Sequence, residues 1–344
     1  MKKIRILIVC FLILFLSACT PQHVSFQKNG TTCSNIVMVD GQVASYNNSV
    51  FFYGKVGLCE YDRITNSTVR IPTKIGQRPV GGMSMMSSSK ELFFLENDGL
   101  VSVGFDGKNK QIVLPIKNEF ANLATKFFVD GQTGYYMTHV EGALLSVDMN
   151  TQKSQTLISE CVNIYHLSDQ TLYAVQINGT DEHRTYHLLQ TKKGKVDWKE
   201  IPLSFSPLIV TGNDNTLYVG ARGEMVETDS SFPLFRYPVY ICKRSADETW
   251  SEKKLEGVSS LFFQLCGEKL YFLDSLSYEN SCFTLKVWNP ETNDIRTVAD
   301  DVYNFYVVDD HTVVYHNLDS VYFLYDTVED TITEIPYPET NSKE

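Results

Sequence analysis

The feature that most constrains this chain is an internal repeat. Seven times an alternating apolar stretch runs into a turn centred on a small polar or charged residue, followed by a second short stretch that ends on an aliphatic side chain. LCEYDRITNSTVRI from Leu58, LLSVDMNTQKSQTLI from Leu144 and YFLYDTVEDTITEI from Tyr322 are three of the seven. Aligned on the residue that opens each turn, the anchors are Asp62, Asp106, Asp148, Gln190, Arg244, Asn289 and Asp326, at successive spacings of 44, 42, 42, 54, 45 and 37 residues. A period of this length with two-residue alternation belongs to a four-stranded blade, whose faces are covered only by neighbouring blades around a common axis. Upstream of each anchor lies an aromatic and β-branched piece, such as VFFYG at Val50, LFFLEN at Leu92 and LYFLD at Leu270, which reads as the inner strands of the blade. No apolar run holds a 3.6-residue period over three turns, so helices should be scarce.

The expected fold is therefore all-β: a seven-bladed β-propeller of four-stranded antiparallel blades over residues 31–336. Its blades are placed near 40–74, 80–115, 122–159, 161–202, 206–256, 258–299 and 301–336. Thr31 to Val39 is expected to add a strand to the last blade and close the ring, which would spare the sheet an exposed edge. Residues 337–344 are expected to form a flexible tail.

The N-terminus is not part of this repeat. Lys2, Lys3 and Arg5 form a positive segment, and Ile6 to Leu16 an apolar run of eleven residues. That run is too short for a helix to cross a bilayer core of ~30 Å, which takes about 20 residues, and it has the length of a secretion signal. It ends in Leu16, Ser17, Ala18 and Cys19, which resembles the lipobox of bacterial lipoproteins. The resemblance implies cleavage after residue 18, attachment of a diacylglycerol with palmitate-type acyl chains to the Cys19 thiol, a tether over 19–30 and an extracytoplasmic, membrane-anchored location. Each buried methylene of such an anchor contributes ~0.8 kcal/mol, so two or three chains hold a protein at the bilayer.

Loss of residues 1–18 would remove three of the 30 basic side chains and none of the 41 acidic ones, leaving 27 against 41 and a formal charge of −14. Nucleic acid and anionic lipid surfaces are poor partners for that balance. Six cysteines follow Cys19: Cys33, Cys59, Cys161, Cys242, Cys266 and Cys282. Their spacings match no metal motif, and they read as lone thiols, with at most one bridge between Cys33 and Cys59 or between Cys266 and Cys282.

The repeated aromatic strand followed by an apolar strand ending in Asp resembles the TolB-like and YWTD-like propellers, and especially the propeller lipoproteins of Gram-positive bacteria. It covers residues 40–336. The resemblance implies a binding or scaffolding platform for a protein or glycan partner. No blade carries a literal YWTD, nor the Gly-His and Trp-Asp signatures of WD40 blades, so no partner-binding residues carry over.

Catalytic motifs are missing from the sequence. Ser245 to Trp250 lacks the glycine and the spacing of a sialidase Asp-box, and Trp250, like Trp198, reads as a packing residue at the start of an outer strand. There is no Gly-x-Ser-x-Gly, no His-Glu-x-x-His and no phosphate-cradling glycine loop, and nothing calls for a cofactor or a metal. His183 and His187 are four apart, a spacing that suits a helix where a strand is expected.

One asymmetry points to a site. The hairpin between the second and third strands is short in blades 1, 2, 3 and 7 and long in blades 4, 5 and 6, over 178–185, 221–238 and 275–281. In a propeller these hairpins share one face, so three long ones in succession build a wall beside the axial opening. They supply Asp181, Glu182, His183, Arg184, Arg222, Glu224, Glu227, Phe232, Phe235, Arg236, Tyr278 and Glu279 as candidate partner-binding residues, since interfaces draw on loops, aromatics and arginines. The alternative is an extracytoplasmic hydrolase or lyase of wall polysaccharide using Glu224 with Glu227, or Asp181 with Glu182, as acid and base. That chemistry needs carboxylates ~5–9 Å apart in an open funnel, and a blocked axial mouth would exclude it.

Overall fold

The computed structural model describes residues 31–39, 41–76, 84–116, 124–179, 183–226, 234–277 and 281–338. Seven four-stranded antiparallel sheets, each a meander of successive strands, follow one another along the chain over 43–70, 86–115, 124–158, 162–201, 207–259, 263–302 and 304–334. Blade 5 carries one insertion, a small hairpin of Glu224–Val226 paired with Leu234–Arg236. The blades fall within a few residues of the repeats, and among the described residues helix is confined to one five-residue α-helix, α1 (Cys33–Val37), and one 3₁₀ turn, Ser275–Ser277.

The anchors keep the register because most of them cap their own turn. Six of them open the bend between the third and fourth strands, while Gln190 lies inside its strand, two residues before the end. Asp62 Oδ1 accepts from the Ile64 and Thr65 N–H groups, Asp148 Oδ1 from Asn150 and Thr151, and Asp326 Oδ1 from Val328 and Glu329. Asp106 and Asn289 each accept one such bond. A short side-chain oxygen two residues from the turn can do this, which is why Asp and Asn recur there.

The second strand of each blade departs from simple alternation. In Glu91–Glu96 the four central residues, Leu92 to Leu95, are all buried, and in Ser49–Gly54 Val50 to Phe52 are. These strands meet a neighbouring blade on both faces, so apolar side chains are required on both. The outermost strands lie at the rim, and Thr331–Glu334 is exposed throughout. Rings bridge the blades: Phe51 stacks on Phe105 at 4.7 Å, and Phe52 meets Tyr322 at 4.5 Å, joining the first blade to the last.

Gly134 lies where a side chain has no room. A Cβ there would sit 2.6 Å from the Phe127 ring and 2.9 Å from Val147. Gly134→Ala is expected to destabilise the fold by about 1–3 kcal/mol through overpacking, seen as a lower denaturant midpoint at unchanged slope.

The ring does not close by the expected added strand. Blades 1 and 7 are each built from one continuous stretch, and Cys33–Val37 is helical. Thr32 caps the helix, its hydroxyl accepting from the Asn35 N–H. All five helical residues are buried, because α1 occupies the axial channel. Asn35 is its main tie. Its amide accepts from the Val307 N–H at 3.0 Å and donates to the Val307 carbonyl at 2.8 Å, so one side chain satisfies both outward groups of a residue on the innermost strand of blade 7. Ser34 bonds Thr211 of blade 5, Lys126 of blade 3 donates to the Val37 carbonyl, and Thr32 donates to Gln264 of blade 6. An innermost strand is an open sheet edge, and a peptide-like side chain covers it as another strand would. Direct links complete the closure. Ser45 Oγ donates to the Val308 carbonyl, and Arg63 pairs with Asp309 at 2.8 Å.

All six described cysteines are free, as the reading of lone thiols expected, and neither of the two bridges considered forms. Burial pushes the Cys33, Cys242 and Cys266 thiols up to about 12, which keeps them protonated and unreactive. Tyr337, the first residue of the expected tail, is half-buried and its hydroxyl donates to the Ser320 carbonyl.

Candidate functional site

An antiparallel meander puts first-to-second and third-to-fourth strand turns on one face of the ring. Second-to-third hairpins and the connections between blades lie on the other. The axial channel opens on both faces, and α1 passes from one mouth to the other, with Thr31 to Ser34 at the first and Met38 and Val39 at the second.

On the hairpin face, between blades 5, 6 and 7, lies a cavity of about 650 Å³. Three parts of the chain build it. The blade 5 insertion supplies Phe235 and Tyr237, whose rings stack with centroids 6.0 Å apart. The connection from blade 5 to blade 6 supplies Leu261 and Phe262, and Phe262 faces Phe283 of blade 6 at 6.2 Å. Blade 7 and its entry supply Tyr303, Asn304 and Leu318, while Met38 and Val39 form the floor. No ionisable carboxylate, lysine, arginine or histidine is among these described lining residues.

The wall is held firmly. Ser260, fully buried, donates to the Leu273 carbonyl at 2.6 Å and accepts from the Phe262 N–H at 2.9 Å, fixing the connection between blades 5 and 6. The Tyr237 N–H donates to Ser259 Oγ at 2.9 Å. At the base of the insertion a Cβ on Gly223 would lie 2.4 Å from the Arg236 carbonyl and 2.7 Å from the Tyr237 ring, so only glycine lets the two legs approach. The outer rim is apolar and open to solvent, with Phe235 38%, Tyr303 42% and Leu318 57% exposed.

The opposite mouth is different in kind. Its vestibule of about 410 Å³ includes Asp130 paired with Lys193 at 2.6 Å, Asp169, Asp310 and the buried His166. His166 Nε2 contacts the Gly212 carbonyl at 2.9 Å, and its Nδ1 has no partner among the described residues. Burial depresses this imidazole to about 4, against the opposing effects of the Gly212 hydrogen bond and of Asp214.

Of the residues singled out in the sequence, the structure brings Phe235 into the cavity wall. Arg222 lies over the Tyr186 ring at 5.5 Å, joining blades 4 and 5. Glu224 and Arg236 oppose one another across the inserted hairpin and are exposed, as are His183 and Arg184 on the blade 4 hairpin. His187 sits in a strand with its Nδ1 2.8 Å from Glu200. Asp181, Glu182, Glu227, Phe232, Tyr278 and Glu279 lie outside the described residues, as does Cys19. The cavity is centred one blade further along than the long hairpins indicated. Leu261, Phe262 and Tyr303 went unrecognised because they sit in blade connections, which open on the same face, and Tyr237, although inside the long blade 5 hairpin, was not among the residues singled out. The signal for them was an aromatic beside an aliphatic residue in an otherwise polar connection, as in Leu261 and Phe262.

No family model and no curated protein matches the chain. Solved structures do. It is similar to tricorn protease (TM-score 0.61, 9% identity, 92% of this chain and 36% of that one). It is also similar to an oligogalacturonate lyase from Vibrio parahaemolyticus (TM-score 0.51, 12% identity, 86% of each chain). TolB from Acinetobacter baumannii matches at TM-score 0.46 and 11% identity, over 86% of this chain and 78% of that one. The chain spans about a third of the length of tricorn protease. At these identities the likeness is one of fold alone. The chain is a seven-bladed β-propeller.

Proposed function

We propose that this propeller is a lipid-anchored extracytoplasmic binding module that receives an uncharged, apolar segment of a protein partner in the cavity between blades 5, 6 and 7. The observation that carries the reading is the lining: five aromatic rings, aliphatic neighbours and no carboxylate, lysine, arginine or histidine among the described lining residues, on a chain whose formal charge is −11. Rigid aromatic walls with an apolar rim are what interface anchors dock into. A glycan would call for many hydrogen-bonding side chains beside the rings to meet its hydroxyls, and the described lining offers few beyond Asn304, Ser275, Ser281 and two tyrosine hydroxyls. Cleavage of a polysaccharide would need two facing carboxylates, while α1 fills the channel and no carboxylate is among the cavity's described lining residues. The anchor rests on the lipobox at Leu16 to Cys19 and the apolar run before it.

The test is capture from solubilised envelope by the domain from Thr20 onward, beside a Phe235→Ser, Leu318→Ser variant that melts at the same temperature. A retained protein whose affinity falls at least tenfold in the variant supports the reading. Equal retention by both overturns it, and release of the retained material by wall glycan fragments would assign the cavity to sugar instead. The anchor is checked separately: Cys19→Ala is expected to move the protein from the membrane fraction to the medium.

A further inference from the structure

We infer that the tether holds the propeller with its vestibule face toward the bilayer and its aromatic cavity turned away. The inference depends on the reading of Cys19 as the lipid anchor and adds to it which face meets the membrane.

The path of the chain carries it. Thr31 and Thr32 stand at the vestibule among the first-to-second strand turns, close to Gly131, Asp169 and Asn213, and from there α1 runs inward to deliver Met38 and Val39 at the opposite mouth. The helix is locked in that direction by bonds to blades 3, 5, 6 and 7. Any tether from Cys19 therefore enters from the vestibule side. Eleven residues separate Cys19 from Thr31, and fully extended they reach at most ~40 Å. To place the lipid at the cavity face they would first cross the ring from the axis, about 5 Å of helix radius and about 14 Å of four adjacent strands. They would then descend the outside of a blade, whose six-residue strands such as Ser49–Gly54 stand about 20 Å tall. That route uses essentially the whole reach before any lipid is met. On the vestibule side the same tether has length to spare. A partner entering the aromatic cavity accordingly approaches from the side away from the membrane.

The experiment uses the full lipidated chain purified from membranes, in a Cys161→Ser background because Cys161 is exposed and the other five described cysteines are buried. One fluorophore is attached at Lys195→Cys, in the exposed third-to-fourth turn of blade 4, or at Val140→Cys, 57% exposed in the second-to-third hairpin of blade 3. Each protein is placed on phosphatidylglycerol and phosphatidylethanolamine vesicles carrying a headgroup-linked nitroxide. Quenching at position 195 several-fold above that at position 140 is the expected result. Equal or reversed quenching overturns the orientation. Flotation separates the two readings: protein that floats with neither position quenched keeps its anchor but not this orientation, and protein that does not float loses both.

Discussion

Asn35→Leu is expected to lower the melting temperature by roughly 5–15 °C, the largest effect of any single substitution considered for this fold. The side chain keeps its branched skeleton, but the Val307 N–H and carbonyl both lose their partner inside the channel. An orphaned buried group costs about 1–3 kcal/mol, so two cost about 2–6 kcal/mol, and large domains lose about 2–4 °C per kcal/mol. The substitution has a second readout. Cys33 is 5% exposed and its thiol is pushed up to about 12 by burial, so it resists alkylation while α1 is seated. With the tie to blade 7 gone, α1 leaves the channel more often, and native-state alkylation of Cys33 should rise at least tenfold in a Cys161→Ser background. Unchanged melting and an unchanged alkylation rate would show that the helix is a passenger in the channel rather than its closure. Because Met38 and Val39 floor the aromatic cavity, the same variant should also weaken partner capture.

The second large effect is one of pH. His166 is neutral in the fold down to about pH 4, whereas in the unfolded chain an imidazole takes up a proton below about 6.5. A depressed folded pKa means that the unfolded state binds the extra proton, so stability from this residue is fully present above about pH 6.5 and is lost as pH falls toward 4. A difference of about 2.5 units corresponds to about 3 kcal/mol. The expected measurement is a series of denaturant midpoints between pH 7 and pH 4. His166→Gln, which keeps a polar group beside Gly212, should lose markedly less stability than the parent across that window. Parallel curves for the two proteins would mean that the buried imidazole is not what couples this fold to acid.

Both effects arise in the channel and its vestibule, and both follow from how a propeller is closed. Each innermost strand presents unpaired backbone groups to the axis. Here those groups are met by side chains from other blades and from α1. Tyr165 donates to the Lys126 carbonyl of blade 3, Asn163 donates to Leu208 of blade 5, and Gln264 donates to Phe305 of blade 7. The axis is therefore a structural core, and binding chemistry is left to the cavity beside it.

How much of this was legible beforehand varies with the range of the interaction. Asp62, Asp148 and Asp326 announced the blades because an Asx-capped turn is decided within three residues, and the aromatic strands such as Leu92 to Leu95 announced which part of each blade is buried on both faces. Thr31 to Val39 misled as an expected strand. Five helical residues have no periodicity to read, and what stabilises them is a bond from Asn35 to Val307, 272 positions away. The long hairpins pointed to the correct face and located Phe235. They did not locate the cavity, whose remaining walls come from two blade connections and from parts of blades 6 and 7 made adjacent only by closing the ring.

By itself, the sequence determined the number of blades, their order and the buried strands, because alternation, turn capping and aromatic content act over a few residues at a time. Only the tertiary structure decided what fills the axis, where the aromatic cavity opens and which mouth the N-terminal segment enters. Those depend on partners brought together by closure of the ring, and no local pattern encodes a contact between residues hundreds of positions apart.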